Sequence, residues 1–213
     1  AIFSFHPVKH IASGEGGMIT TNDKVLYKKM LALRTHGITR DTTIFSNDMD
    51  FAAGQDHQTQ YPAWYMEMQT LGFNYRLTDF QAALGLSQLN RADEGIVRRR
   101  EIAAKYYNAF KAKSFIKGQS KSIEGHAYHL YVIEVEDRVG LYNYLRENKI
   151  FAQIHYIPVH LMPYYKQFGW KEGDRPNSEK YYKRCISLPM YPTLSEDEQD
   201  YVINLVNSYY ESN

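Results

Sequence analysis

The sequence predicts an α/β protein, and three observations carry that expectation. Short apolar segments bounded by Gly-rich turns open the chain, one long helical pattern follows Thr78, and strand and helix signals alternate from Leu130 onward.

Taken in order, Ala1-Ile2-Phe3-Ser4-Phe5 reads as the tail of a buried strand, and Met18-Ile19-Thr20-Thr21, after Gly16-Gly17, as a short strand. Asn22 or Asp23 is placed to cap a helix carrying Val25, Leu26, Met30, Leu31 and Leu33, which ends near Gly37. Residues 38–71 are polar and include Gly54 and Pro62. They are too many for an ordinary connection, so a functional or mobile segment is expected there. Thr78 stands three residues before Gln81, a capping box in which each side chain satisfies an orphan backbone donor of the other. The helix it opens runs through Phe80, Leu84, Leu89, Ile96, Ile102, Tyr106 and Phe110, with a kink or break expected near Gly95.

Residues 111–127 read as a linker. Beyond them, 130–135 is expected as a strand, 140–148 as an amphipathic helix, 150–156 as a second strand, 178–184 as a helical turn and 187–190 as a short strand. Ser195 with Glu198 forms a second capping box, opening a helix with Val202, Ile203, Leu205 and Val206. The expected organisation is therefore a first segment over residues 1–112, ending in a connecting helix, and a small α/β domain over residues 113–213.

Composition narrows the function classes. The apolar share of 44% against 23% charged marks a globular chain, not a disordered one. No apolar run approaches the roughly 18 residues of a membrane-spanning helix. With 25 basic against 24 acidic side chains there is no overall field to attract nucleic acid. The single Cys185 excludes an internal disulfide framework and a Cys-rich zinc site, and suits a reducing, cytoplasmic setting. The 19 Tyr point to an extensive interface or a polar pocket. The chain opens on a core-type strand without a Met, so a piece of a larger polypeptide is expected.

Candidate chemistry begins at Ser4-Phe5-His6-Pro7-Val8-Lys9-His10. A lone Lys is usually a solvated charge, but this one lies between an apolar strand and a Gly-rich turn. Chemistry on a lysine amine needs burial, a cationic neighbour or a Schiff base to release the proton. Gly14-Glu15-Gly16-Gly17 lacks both the P-loop and the dinucleotide patterns and reads as a tight turn. The pairs His126/His129 and His155/His160 have no flanking Cys and no H-E-x-x-H spacing, so no metal site is expected. His155-Tyr156 ends an expected strand, where both a site and an aromatic core pair are open readings. Asn74, just ahead of a helix, presents its amide either to an anion or to its own turn. Arg98-Arg99-Arg100 reads as a solvated helix face.

Read together, these segments resemble one family. Ser-Phe-His-Pro-Val-Lys at 4–9, Gly-Glu-Gly-Gly at 14–17, Arg-Thr-His-Gly at 34–37 and Gly-Phe-Asn-Tyr-Arg-Leu-Thr-Asp-x-Gln-Ala-Ala-Leu at 72–84 are similar to the DegT/DnrJ/EryC1 sugar aminotransferases. The likeness runs in order from residue 3 to about 205. It implies the C-terminal portion of a fold-type I transferase dependent on pyridoxal 5'-phosphate (PLP): the end of the large domain, a connecting helix and the small domain. Gln-Ile-His-Tyr-Ile-Pro-Val-His at 153–160 and Ser-Leu-Pro-Met-Tyr-Pro at 187–192 resemble the branch that makes UDP-4-amino-4,6-dideoxy-N-acetyl-β-L-altrosamine, a pseudaminic acid precursor.

The resemblance implies roles. Lys9 matches the lysine that holds the cofactor covalently and afterwards shuttles a proton. Ser4 matches a serine on the cofactor phosphate. Asn74 matches an asparagine that reaches the phosphate and substrate of the other subunit, which implies a homodimer. Gln153, Ile154, His155 and Tyr156 match a stretch lining the nucleotide-sugar pocket. The implied reaction moves an amino group from L-glutamate to C4 of a UDP-linked 4-keto-6-deoxy amino sugar. Related sugar dehydratases carry His in the lysine slot; counting from Ser4 and from Gly14 places Lys9 there and His10 one position beyond. A catalytically inert piece keeping only the dimer surface is the remaining alternative. Family chains are nearly twice as long, and their N-terminal part carries the Asp that pairs with the pyridine nitrogen, so weak turnover by these 213 residues alone is expected.

Overall fold

The computed structural model describes residues 1–118 and 123–211. The chain divides into two compact units, Ala1–Leu89 and Asn90–Asn213.

In the first unit, β1 (Ile2–Ser4) pairs antiparallel with β2 (Gly17–Ile19), Phe3 opposite Met18. α1 (Lys24–Arg34) follows, its N-cap Asp23 accepting from the amides of Val25 and Leu26. Within 38–71 the chain forms β3 (Ile38–Thr39), a 3-10 turn at Thr42–Ile44, α2 (Met49–Ala53) and β4 (Glu67–Met68), with β3 and β4 antiparallel. α3 (Asp79–Leu89) starts at the expected box: Gln81 N donates to Thr78 Oγ1, and Thr78 N donates to Gln81 Oε1.

The opening strand is not buried, contrary to the sequence expectation. Ile2 is 82% exposed and Ile19 55%, because none of this unit's layers covers the two-stranded sheet. Only Ser13, Gly37, Ala52 and Glu67 of this unit are buried among the described residues. An apolar pattern records what a segment prefers to bury; burial itself needs a second layer.

The second unit owns the hydrophobic core. α4 (Ala92–Phe110), β5 (Ile116–Lys117), β6 (Tyr131–Val135), α5 (Arg138–Glu147), α6 (Pro163–Lys166), α7 (Pro176–Arg184), β7 (Cys185–Leu188) and α8 (Glu196–Glu211) follow in order. The sheet is antiparallel, β5-β6-β7, with Ile133 opposite Ile186. Ile102, Tyr106, Ile133, Leu141, Leu145, Ile186 and Val206 are fully buried in one cluster, each aliphatic side chain contributing about 1.5–3 kcal/mol.

Four expectations are corrected. The long helix breaks at Asn90–Arg91, not near Gly95, and Arg91 caps α4 without a side-chain bond. Gly95 continues as helix with Pro192 facing it; an added Cβ would lie 3.5 Å from the ring. α4 packs its buried face into the core of the second unit, which begins at Asn90. The linker contains β5, too short for a periodicity signal. Finally, 150–156 is not a strand: only Gln153 pairs, with Ser187. Arg99 is not a solvated residue either. Its guanidinium is buried and donates to the carbonyls of Tyr128, His129 and Met190, tying the approach to β6 to the end of β7.

Candidate active site

The Lys9 turn is built by backbone bonds. β1 ends at Ser4, Phe5 N donates to Gly16 O at 2.9 Å, Ser13 N to Phe5 O at 2.9 Å, and Lys9 N to His6 O at 2.9 Å. The turn therefore closes on itself and displays Ser4 and Lys9, five residues apart, both exposed. Gly16, at φ +154°, lets it lie close to the next motif: an added Cβ would be 2.8 Å from Leu77 Cδ1 and 2.7 Å from Ser13 Oγ. Gly85 of α3 approaches Ser13 in the same way, at 3.6 Å.

Asn74 is positioned by a backbone crossing. The motifs 34–37 and 72–76 run antiparallel, with Thr35 bridged to Asn74. Phe73 N donates to Leu33 O at 2.7 Å, His36 N to Phe73 O at 2.8 Å, and Tyr75 N to Arg34 O at 3.0 Å. Both glycines are required. Gly37 takes φ +68° against the Thr70 carbonyl, and Gly72 sits against the backbone of His36 and Gly37. Two motifs that stand far apart in sequence are one structural feature.

The segment 38–71 is knotted around a carboxylate. Glu67, 8% exposed, accepts from Ser46 N, Asn47 N, Tyr65 Oη and Gln69 Nε2 at 2.6–3.0 Å. Burial, the largest influence, pushes its carboxyl up, but the donated bonds together hold it below the usual range. Phe45, Tyr61 and Tyr65 pack beside it, with ring centroids 4.8–5.9 Å apart.

In the second unit, Gln153 and Ser187 exchange backbone bonds of 3.1 and 2.7 Å. His155 Nδ1 and Ser187 Oγ share a bond of 2.8 Å. Ile154 is half-buried and Tyr156 is 71% exposed. His160 Nε2 and Glu179 Oε1 meet at 2.8 Å with both side chains nearly buried. Glu179 also accepts from Gly173 N and Arg175 N. The His160 hydrogen bond, above all, holds the Glu179 carboxyl below its ordinary value.

The structure thus brings Ser4 and Lys9 onto one turn, with Asn74 in the same unit, and places Gln153, Ile154, His155 and Tyr156 in the other. Among the described residues no group of three or more His, Cys, Asp or Glu side chains is arranged to hold a metal ion, and no helix is long and apolar enough to cross a membrane. A cavity of about 220 Å³ beside Tyr107, Phe110, Lys111 and Tyr131 contains none of the predicted site residues. Sequence reasoning missed Glu179 and Glu67 entirely, and carried Ser187 and His160 only inside the resembling motifs 187–192 and 153–160, with His160 also weighed as a metal ligand. The near-invisible signal was a polar residue in an otherwise apolar strand (Ser187) or helix turn.

An exposed primary amine with a hydroxyl on the same turn suits a phosphorylated aldehyde, the amine to bond the carbonyl carbon and the neutral hydroxyl to hold the phosphate. Solved structures share this fold. The Helicobacter pylori PseC aminotransferase, described as involved in pseudoaminic acid biosynthesis, is 28% identical with a TM-score of 0.83 over 100% of this chain and 53% of its own. A putative sugar aminotransferase from Streptococcus pneumoniae, Spr1654 in its PMP form, is 29% identical with a TM-score of 0.83 over 99% of this chain and 53% of its own. The fold is that of the PLP-dependent aminotransferases.

The chain belongs to the DegT/DnrJ/EryC1/StrS aminotransferase family, whose profile matches residues 1–207. SpsC, a spore coat polysaccharide biosynthesis protein of Bacillus subtilis (strain 168), is 40% identical over 96% of this chain and 52% of its own length. The chain spans about half the length of the relatives it matches.

Proposed function

We propose that the protein transfers an amino group from L-glutamate to C4 of a UDP-linked 4-keto-6-deoxy amino sugar, as part of nucleotide-sugar biosynthesis of the pseudaminic acid type. PLP, when bound, supplies the electron sink that labilises the hydrogen at the amine-bearing carbon. Lys9 Nζ would hold the cofactor at its aldehyde carbon, and the same amine would carry the proton that the transfer delivers to the sugar carbon. Ser4 Oγ and the Asn74 amide hold the phosphate, Asn74 from the second copy of a homodimer, and Asn74 also meets the substrate. Gln153, Ile154, His155 and Tyr156 wall the nucleotide sugar; the exposed Tyr156 ring offers it a flat apolar face and a hydroxyl.

One observation carries the reading. The lysine slot between Ser4 and the 14–17 turn is filled by Lys9, displayed with Ser4 on a turn fixed by its own backbone bonds. A histidine there has no amine to hold the cofactor, and that neighbour, His10, stands one residue further and is half-buried. The test is to supply PLP, L-glutamate and the UDP-linked keto sugar and follow products by mass spectrometry. A 4-amino sugar with one equivalent of 2-oxoglutarate supports the reading; a 3-deoxy sugar formed without glutamate overturns it. Lys9→Ala is expected to abolish transfer.

A further inference from the structure

Residues 153–160 form a strap secured at two points and open between them. At its start, Gln153 completes a backbone bridge on the free side of β7, and Ser187, 4% exposed, places its hydroxyl 2.8 Å from His155 Nδ1. Cys185 Sγ adds a weak contact to the His155 carbonyl at 3.9 Å. At its end, His160 meets Glu179 of α7 at 2.8 Å, and the same carboxylate takes the amides of Gly173 and Arg175, so the chain before α7 is gathered onto one residue. Between these anchors Tyr156 and Val159 are 71% and 58% exposed. A segment with buried polar anchors at both ends and an exposed aromatic in the middle has been fixed in advance for something that arrives from solvent.

We infer that Ser187 and the His160–Glu179 pair are positioning residues for sugar-nucleotide recognition: they hold the 153–160 strap so that Tyr156 stands preformed as a wall of the pocket. The inference rests on the reading that residues 153–156 face the substrate. None of the three needs to touch it. Their loss releases the strap, so that binding must first order it; the penalty falls on substrate affinity and not on the bond-making step.

The test uses the purified enzyme and the UDP-linked 4-keto-6-deoxy amino sugar. Ser187→Ala and Glu179→Gln are each expected to raise KM for the sugar about tenfold while kcat changes less than about twofold. Hydrogen exchange at the amides of Gln153, Leu161 and Met162 is expected to quicken, with β6 unchanged as the internal sign that the unit is folded. Ser187→Thr keeps the hydroxyl and is expected to restore KM. Tyr156→Ala separates the two levels of the argument. If it leaves KM unchanged, the substrate reading of the strap fails. If it raises KM while Ser187→Ala and Glu179→Gln do not, the reading stands and the positioning role is overturned. An equal fall in kcat without a change in KM also overturns it.

Discussion

Replacing Gly72 by Ala probes the crossing that positions Asn74. The new Cβ would lie 2.5 Å from the His36 carbonyl carbon and closer still to Gly37 N, both backbone atoms that no rotamer change can move aside. Ordinary contact begins at 3.4 Å, so the two segments must part by about 0.9 Å or more. Four backbone bonds of 2.7–3.0 Å surround the point: Phe73 to Leu33, His36 to Phe73, Tyr75 to Arg34 and Gln69 to Gly37. A shift of that size carries two or three of them past hydrogen-bond length, at about 1 kcal/mol net each. Overpacking adds about 1–3 kcal/mol, so the expected loss is about 3–6 kcal/mol. Gly14→Ala is the control: at φ +82° with no atom within 4 Å, it pays only the left-handed backbone cost of about 1–2 kcal/mol. Urea unfolding followed by circular dichroism, extrapolated linearly, reads both. A Gly72→Ala midpoint equal to that of Gly14→Ala would refute the reasoning.

Three further outcomes are expected. Arg99→Met leaves the carbonyls of Tyr128, His129 and Met190 without their buried donor and costs about 3–5 kcal/mol in the same urea assay. Ile102→Ala, at a fully buried position, costs about 2–5 kcal/mol and lowers the urea midpoint without changing the slope. Glu67 makes the protein acid-sensitive: its folded carboxyl titrates below its unfolded value, so its stabilisation is present above the ordinary value of about 4.3 and is lost as pH falls through the lower folded one. Glu67→Gln therefore lowers Tm at pH 7, and the gap to the parent protein closes as pH falls below about 4; a gap independent of pH contradicts this.

What the sequence disclosed was local or motif-borne. Both capping boxes, Thr78 with Gln81 and Ser195 with Glu198, form as read, because their donors and acceptors lie within one helical turn. The Asp23 cap follows the same logic. Lys9, Ser4 and Asn74 became candidates through resemblance, since spacing alone left each between a functional and an ordinary reading. The supports of the site were not legible. Ser187 meets His155 across 32 residues and His160 meets Glu179 across 19, so no window of sequence contains either pair. The 150–156 segment shows the limit of periodicity: its apolar residues read as a strand, yet one bridge at Gln153 is all the pairing it makes. The 38–71 segment shows only length and polarity in sequence, and neither reveals that one carboxylate gathers four donors from 46 to 69.

The central claim is that the amine at position 9 is the one that takes the cofactor. Equimolar PLP followed by borohydride reduction and peptide mapping addresses it directly. The account predicts a pyridoxyl label concentrated on the peptide containing Lys9 and absent from that peptide in Lys9→Ala. A label spread evenly over the surface lysines, or concentrated on another one, contradicts it.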